Sequence, residues 1–332
     1  MPPAATAAET FTLRPRRAVY LKPEPASFEG IETLEAMDAA YRALCAILFN
    51  YVPNSGHPGG SISSGRIVSS LLYKNLRYDF SRPDTIDNDV LVYAAGHKAM
   101  GLYAMYALRD EWMRIARPDL LPAESRRLRL EDLLGFRRNP TQSTPLFRQF
   151  KSMALDGHPT PMTPFVPVAT GASGVGDCTA VGLALASMDA FGAAGPRFHI
   201  LEGEGGMTAG RVHEALATAA TAGLSNAIMH LDWNQASIDS DRVTAEGDKP
   251  GDYVQWDPRE LLYMNDWNLV EAGDGSDFKC VLAAQQAALS LNNGQPTGIV
   301  YRTTKGWKYG IEGKGSHGAG HAFCSDAFYK AV

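Results

Sequence analysis

The stretch from Phe198 to Asp239 constrains the fold of this chain most. A short apolar run, Phe198 to Leu201, leads into Glu202-Gly203-Glu204-Gly205-Gly206. A helical pattern follows from Thr208 to Gly223, with Val212, Leu216 and many alanines on its inner side. A second apolar run, Ala227 to Leu231, ends in Asp232-Trp233-Asn234. Strand, glycine-rich turn, helix and strand in that order make one βαβ unit. Both polar turns leave the C-terminal ends of adjacent parallel strands, the edge of an open α/β sheet where ligands sit. Gly203, Gly205 and Gly206 let backbone come close to a phosphate, and the helix N-terminus behind them favours negative charge. Glu204 and Asn234 offer two oxygens from two strand ends, suited to a hard cation such as Mg²⁺ or Ca²⁺. The guest this predicts is a diphosphate bridged to a hard metal.

The rest of the chain extends the same pattern. Helices are expected over Ile31–Asn50, Gly65–Leu76, Lys98–Leu108, Cys178–Phe191 and Asp277–Leu291, with buried strands at Asp89–Ala95, Asn268–Glu271 and Gly298–Thr304. Alternating strands and helices argue for an α/β fold with a parallel central sheet and helices on both faces. Residues 1–27, rich in Pro and Ala, read as a flexible or surface-draped arm, and 28–332 as one domain. The segment 110–150 carries Arg126, Arg127, Arg129, Arg137, Arg138 and Arg148. It reads first as a solvated insertion and second as a basic wall for a phosphorylated substrate.

Composition excludes several classes. A net charge of −5 with no basic block argues against nucleic acid as a partner. No apolar run has the length of a membrane span, and the N-terminus lacks signal-peptide features, so a cytoplasmic location is expected. Cys45, Cys178, Cys280 and Cys324 are scattered without CxxC spacing and read as reduced, buried small residues.

Four of the eight histidines share one context. His57, His97, His158 and His317 each sit in a glycine-bounded loop at an element end, whereas His199, His213, His230 and His321 read as structural. Together with Gly203-Glu204-Gly205 and Asn234, which follows Glu204 by 30 residues, these loops resemble the transketolase family. Gly203-Glu204-Gly205…Asn234 resembles that family's Gly-Asp-Gly…Asn thiamine-diphosphate motif, with glutamate in place of the aspartate. Asn54-Ser-Gly-His57-Pro-Gly-Gly, Gly96-His97 and Gly157-His158-Pro159 resemble its histidine loops, with Lys98 in place of a second glycine. Gly171-Ala-Ser173-Gly-Val-Gly is similar to the loop that lines the aminopyrimidine, and Thr303-Thr-Lys-Gly with Ser316-His317-Gly to the closing strand and loop.

The resemblance implies thiamine diphosphate with Mg²⁺ (or Ca²⁺) as cofactors. It implies metal ligation by Glu204, Asn234 and the carbonyl of Ala236. Cofactor contacts are implied for His97, Gly171, Ser173, Gly205, Gly206 and His317. Catalytic roles toward a sugar or sugar phosphate are implied for His57, His158 and His317. Neutral histidines suit this chemistry, because they donate to an oxyanion and shuttle hydroxyl protons near neutral pH. The family builds each site from two modules, and the sequence stops at Val332, after the first. The expectation is therefore one subunit of a split, α₂β₂ transketolase, with the pyrimidine-binding and C-terminal modules on another chain. Two alternatives stand beside it: the decarboxylating component of a 2-oxo acid dehydrogenase, and a non-catalytic partner, for which Glu204 is the best support. The histidines in Gly-His-Pro loops favour a polyol substrate.

Overall fold

The computed structural model describes residues 16–51, 57–137, 144–318 and 320–332. Its elements in chain order are β1 (Tyr20–Leu21), α1 (Ile31–Tyr51), α2 (Pro58–Ser63), α3 (Gly65–Ser70), β2 (Val90–Tyr93), α4 (Ala99–Ala116), α5 (Pro145–Gln149), α6 (Val175–Phe191), β3 (Phe198–Gly203), α7 (Gly210–Thr221), β4 (Ala227–Trp233), α8 (Pro258–Met264), β5 (Asn268–Asp274), α9 (Phe278–Ser290), β6 (Thr297–Arg302) and α10 (Asp326–Ala331). The six strands form one sheet in the order β1-β5-β6-β4-β3-β2, every pair parallel.

Alternation along the strands explains the layering. Leu91, Tyr93, Leu201, Ile228, Val270, Ile299 and Tyr301 face one core, shared with α1, α3, α4 and α9. Val92, Phe198, Ile200, Met229, Leu231, Leu269 and Val300 face the other, shared with α6, α7 and α8. Helix-covered faces leave the two sheet edges and the strand ends as the places open to ligands. The expected βαβ unit is β3–α7–β4, with Phe198 opposite Ala227 and Gly203 opposite Asp232.

Some elements differ from the expected ones, each for a local reason. The helix expected over 65–76 is regular only to Ser70. Leu71–Asn75 then forms a π turn, closed by Leu76 N–H donating to Leu71 O at 2.8 Å. Asn75 is drawn onto α9, donating to Gln285 Oε1 at 2.6 Å. Helix α4 runs past Leu108 because Arg109 is buried rather than solvated. Its guanidinium lies against Tyr106 and Phe165 and pairs with Asp110 at 2.9 Å. Helix α8 lies beyond the polar loop 241–257. It starts in a capping box in which Asp257 accepts from Glu260 N–H and Glu260 accepts from Asp257 N–H. Residues 1–15 of the expected arm lie outside the described residues. Within 16–27, Tyr20 and Leu21 extend the sheet beside β5, and Arg16 donates to Met264 O at 3.0 Å.

Candidate functional site

The C-terminal ends of β2, β3, β4 and β6 surround a cavity of about 140 Å³. His97, Gly171, Ser173, Glu204, Gly205, Gly206, Asn234, Ala236 and His317 all line it, so the residues expected to hold cofactor and metal meet in one place. His57 and His158 stand at its margin. The His57 ring packs edge-on between His97 (centroids 5.0 Å apart) and His317 (4.5 Å), and the His57 backbone N–H donates to His317 O at 2.7 Å. His158 lies beside Gly171, where an added Cβ would sit 3.2 Å from its ring, and its carbonyl accepts from Tyr103 Oη–H at 3.0 Å. Asn54 and the residues up to Gly56 lie outside the described residues.

The glycine turn leaves its backbone open toward the cavity. A Cβ on Gly205 would meet nothing within 4 Å, and Gly203 approaches only Lys98 Nζ and Asp232 O. Gly206 is required for a different reason: a Cβ there would run into the Glu202 carboxyl beneath it. Glu204 is 2% exposed, and its Oε2 accepts from Asn234 N–H at 3.1 Å. Burial, then the nearby charge of Asp232, pushes its carboxyl up to about 7. Asn234 Oδ1 accepts from Ala236 N–H at 3.0 Å, which fixes the turn that presents both residues.

Two lysines and an aspartate that the sequence reading did not assign complete the floor. Asp232, fully buried, accepts from Lys98 Nζ at 2.7 Å, from Ser63 Oγ at 2.6 Å and from Thr303 Oγ1. Lys305 Nζ donates to Ala236 O at 3.0 Å and lies 3.0 Å from His317 Nδ1. Burial pulls its ammonium down to about 8, with Glu204 opposing the shift. The available signal was positional, a lysine in each glycine-bounded loop after β2 and β6.

Burial favours the neutral form of His57, His97 and His317. The His57 imidazole is pushed down to about 4 by burial, then by His317 and Lys305. His97 lies well below its usual value for the same first reason, and His317 is lowered as well. Neutral imidazoles around a cavity provide donors and acceptors for hydroxyls without repelling the lysines. His199 and His230 are fully buried away from it. They form a chain across the sheet in which His199 Nδ1 lies 3.0 Å from His230 Nε2, and His230 Nδ1 lies 2.8 Å from Tyr301 Oη.

The arginines of 110–150 are mostly engaged locally. Arg126 pairs with Asp84, Arg129 with Asp132 at 2.8 Å, and Arg127 donates to Pro122 O at 2.6 Å. Arg137 reaches toward the histidines: its side chain lies against Gly157, next to His158, and its charge acts on His57. Arg138 lies outside the described residues. A larger cavity of about 640 Å³ sits at the other end of β2 and β3, bounded by Val90 and Phe198, away from this chemistry.

Known proteins place this architecture. The family described as "Transketolase, thiamine diphosphate binding domain" matches residues 35–116 and 128–326. Transketolase-like protein 2 of Bos taurus is 33% identical over 266 residues, covering 80% of this chain and 35% of the relative. The Homo sapiens transketolase is 28% identical over 312 residues, covering 90% and 41%. Among solved structures, the transketolase from Campylobacter jejuni superposes with a TM-score of 0.68 at 26% identity, over 86% of this chain and 40% of that one. That from Leishmania mexicana gives 0.67 at 25% identity, over 90% and 40%. The chain thus spans well under half the length of the relatives it matches. With its parallel sheet, glycine turn and histidine-lined cavity, this chain belongs to the transketolase family and carries that family's thiamine diphosphate binding domain.

Proposed function

We propose that this chain is the diphosphate-binding half of a thiamine-diphosphate-dependent enzyme that transfers a two-carbon ketol unit from a ketose to an aldose. The observation that carries the reading is the convergence of His57, His97 and His317 on the cavity that the Gly203–Gly206 turn opens into. The cavity fits the diphosphate end of the cofactor: its glycines leave room, and Lys98 and Lys305 bring positive charge. Glu204, Asn234 and the Ala236 carbonyl are the oxygens that would hold Mg²⁺ or Ca²⁺. When bound, thiamine diphosphate supplies an electron sink for breaking a carbon–carbon bond next to a carbonyl.

The chain's own residues do the rest. His57 and His158 hydrogen-bond the donor's hydroxyls and move their protons, as an imidazole can. His317, in contact with His57 and with Lys305, bridges the substrate side of the cavity and its diphosphate side. Arg137, beside Gly157, is placed for a phosphate at the far end of a sugar phosphate. A cavity of about 140 Å³ is small beside the roughly 300–1,000 Å³ of sites that enclose a whole ligand, so the pyrimidine end needs a complementary module. The outward face of α6 is a surface for that module: Leu185, Ala186, Ala190 and Phe191 are exposed there, with Asp189 the one charge among them.

The test is His57→Ala and His158→Ala in the assembled enzyme. Each should lower turnover of a ketose donor by about a hundredfold or more, while calorimetric cofactor affinity stays near wild type. Wild-type turnover in both variants would remove the sugar-handling role from these loops.

A further inference from the structure

The free edge of the sheet, on β2, has a gap in its hydrogen bonding. In a parallel pair, alternate residues of a strand bond to one side and then the other. Val90 N–H donates to Arg197 O at 2.8 Å, so Val90 and Val92 serve β3, and Asp89, Leu91 and Tyr93 turn to the open side. There Asp89 N–H donates to Arg77 O at 2.8 Å, and Tyr93 O accepts from Thr170 Oγ1–H at 2.8 Å. Between them, Leu91 N–H and C=O have no partner on that side among the described residues. Leu91 is 5% exposed, and unpaired backbone groups in such a place are costly. The gap borders the cavity of about 640 Å³ at the N-terminal ends of β2 and β3. Leu72 and Tyr106 line it from one face of the sheet, and Leu183 and Phe198 from the other, so it lies across the β2 edge.

The charged groups of the cavity wall are already paired. Arg109 holds Asp110 at 2.9 Å, Arg126 holds Asp84, and the Asp89 carboxylate accepts from the backbone N–H of Arg77 at 3.0 Å and of Arg197 at 2.9 Å. Ser187, 6% exposed, lines the same cavity with an Oγ that has no partner. Leu91 N–H, Leu91 O and Ser187 Oγ are thus polar atoms left free for a guest, within walls that are largely apolar and partly aromatic. We infer that this cavity binds an uncharged, flat, mainly apolar molecule with an N–H beside a C=O on one edge, a lactam or similar cyclic amide, which closes a pair of hydrogen bonds on Leu91. The volume lies in the range of small-molecule sites, about 300–1,000 Å³. Arg77 and Thr170 occupy the sheet edge on either side of Leu91, leaving one residue's donor and acceptor. One cyclic amide fits that gap, whereas an added peptide strand needs a longer free edge. Tyr106, Phe165 and Phe198 cover the faces of the ring. The site stands at the opposite end of the strands from the candidate diphosphate cavity and is independent of how that cavity is read.

Calorimetric titration of the full chain with 2-quinolinone, a flat bicyclic lactam, and with its N-methyl derivative tests this. 2-Quinolinone should bind saturably at one site, with a Kd of about a millimolar or tighter for a ligand this small. The N-methyl derivative has lost the donor and leaves Leu91 O unpaired, so it should bind about tenfold or more weakly. Leu183→Trp, which fills the cavity from α6, should weaken binding of the lactam by about tenfold or more, with a melting curve to check that the variant is folded. Absence of saturable 2-quinolinone binding overturns the inference. Equal affinity of wild type for the two probes overturns it without any variant, and so does a folded Leu183→Trp protein that binds the lactam as wild type does.

Discussion

At the scale of single residues, the floor of the site hides a pair of acids. Asp177, in the first turn of α6, and Glu202, on β3, are each 1% exposed. Neither oxygen of Asp177 has a hydrogen-bond partner, nor has Glu202 Oε2, while Glu202 Oε1 accepts from Gly203 N–H at 2.7 Å. Burial pushes the Asp177 carboxyl up to about 6, and burial followed by the charge of Asp177 pushes Glu202 well above the usual range. Two such groups retain a proton between them in the folded chain. The folded state therefore binds that proton more tightly than the unfolded state does. The stability this contributes is present below about pH 4 and is lost as pH rises through about 6. Asp177→Asn should gain on wild type as pH goes from 4 to 8, by on the order of a few degrees in Tm. A Tm difference that stays constant across that range would mean the pair holds no shared proton. Neither acid was singled out from sequence, because nothing in Gly-Val-Gly-Asp177-Cys tells that its side chain meets Glu202.

At the scale of elements, legibility followed burial on both faces. Strands β2, β3, β4 and β6 are continuous apolar runs, and all were readable to within two or three residues. Strand β1 was not, since two residues have no period; its place is fixed by Val19 N–H donating to Asn268 Oδ1 at 3.0 Å. Helix α6 raises a question its own chain does not answer. Gly182 sits mid-helix and exposed, and a Cβ there would meet nothing within 4 Å. Glycine mid-helix costs about 1 kcal/mol relative to alanine, and none of the described residues requires it there. Close approach of another backbone is a physical reason to keep it. Gly182→Ala should therefore stabilise the isolated chain by up to about 1 kcal/mol. Gly182→Leu should leave the chain folded but weaken its association with the complementary module, read by sedimentation. If Gly182→Leu associates as wild type does, α6 is not the contact.

At the scale of the whole molecule, order along the chain was legible and order across the sheet was not. Periodicity identifies strands, but only long-range packing places β5 and β6 on one side of β4 and β3 and β2 on the other. The candidate site was legible where glycines cluster at a strand end, as in Gly203-Glu204-Gly205-Gly206, of which Gly206 is the one that its neighbour Glu202 requires. It was silent where a side chain crosses the cavity, as Lys98 does to reach Asp232, 134 residues away. The same distinction governs what the chain does alone. Its cavity of about 140 Å³ is small beside sites that enclose a whole ligand, so on the proposed reading the cofactor's reactive end would lie beyond the surface these residues build. On the proposed reading, a half-enclosed cofactor would be exposed to water, and the histidines around it would act on substrate hydroxyls only once a second wall fixed the donor. This chain with thiamine diphosphate and Mg²⁺ should therefore show little or no ketose cleavage. A second chain carrying the complementary module should restore it, in a complex whose mass by light scattering is that of two copies of each. Because that partner binds only the folded state, its addition should also raise Tm in a concentration-dependent way. Robust turnover by the purified chain alone would show that these residues already enclose the reacting atoms, and the two-module assembly would then be wrong.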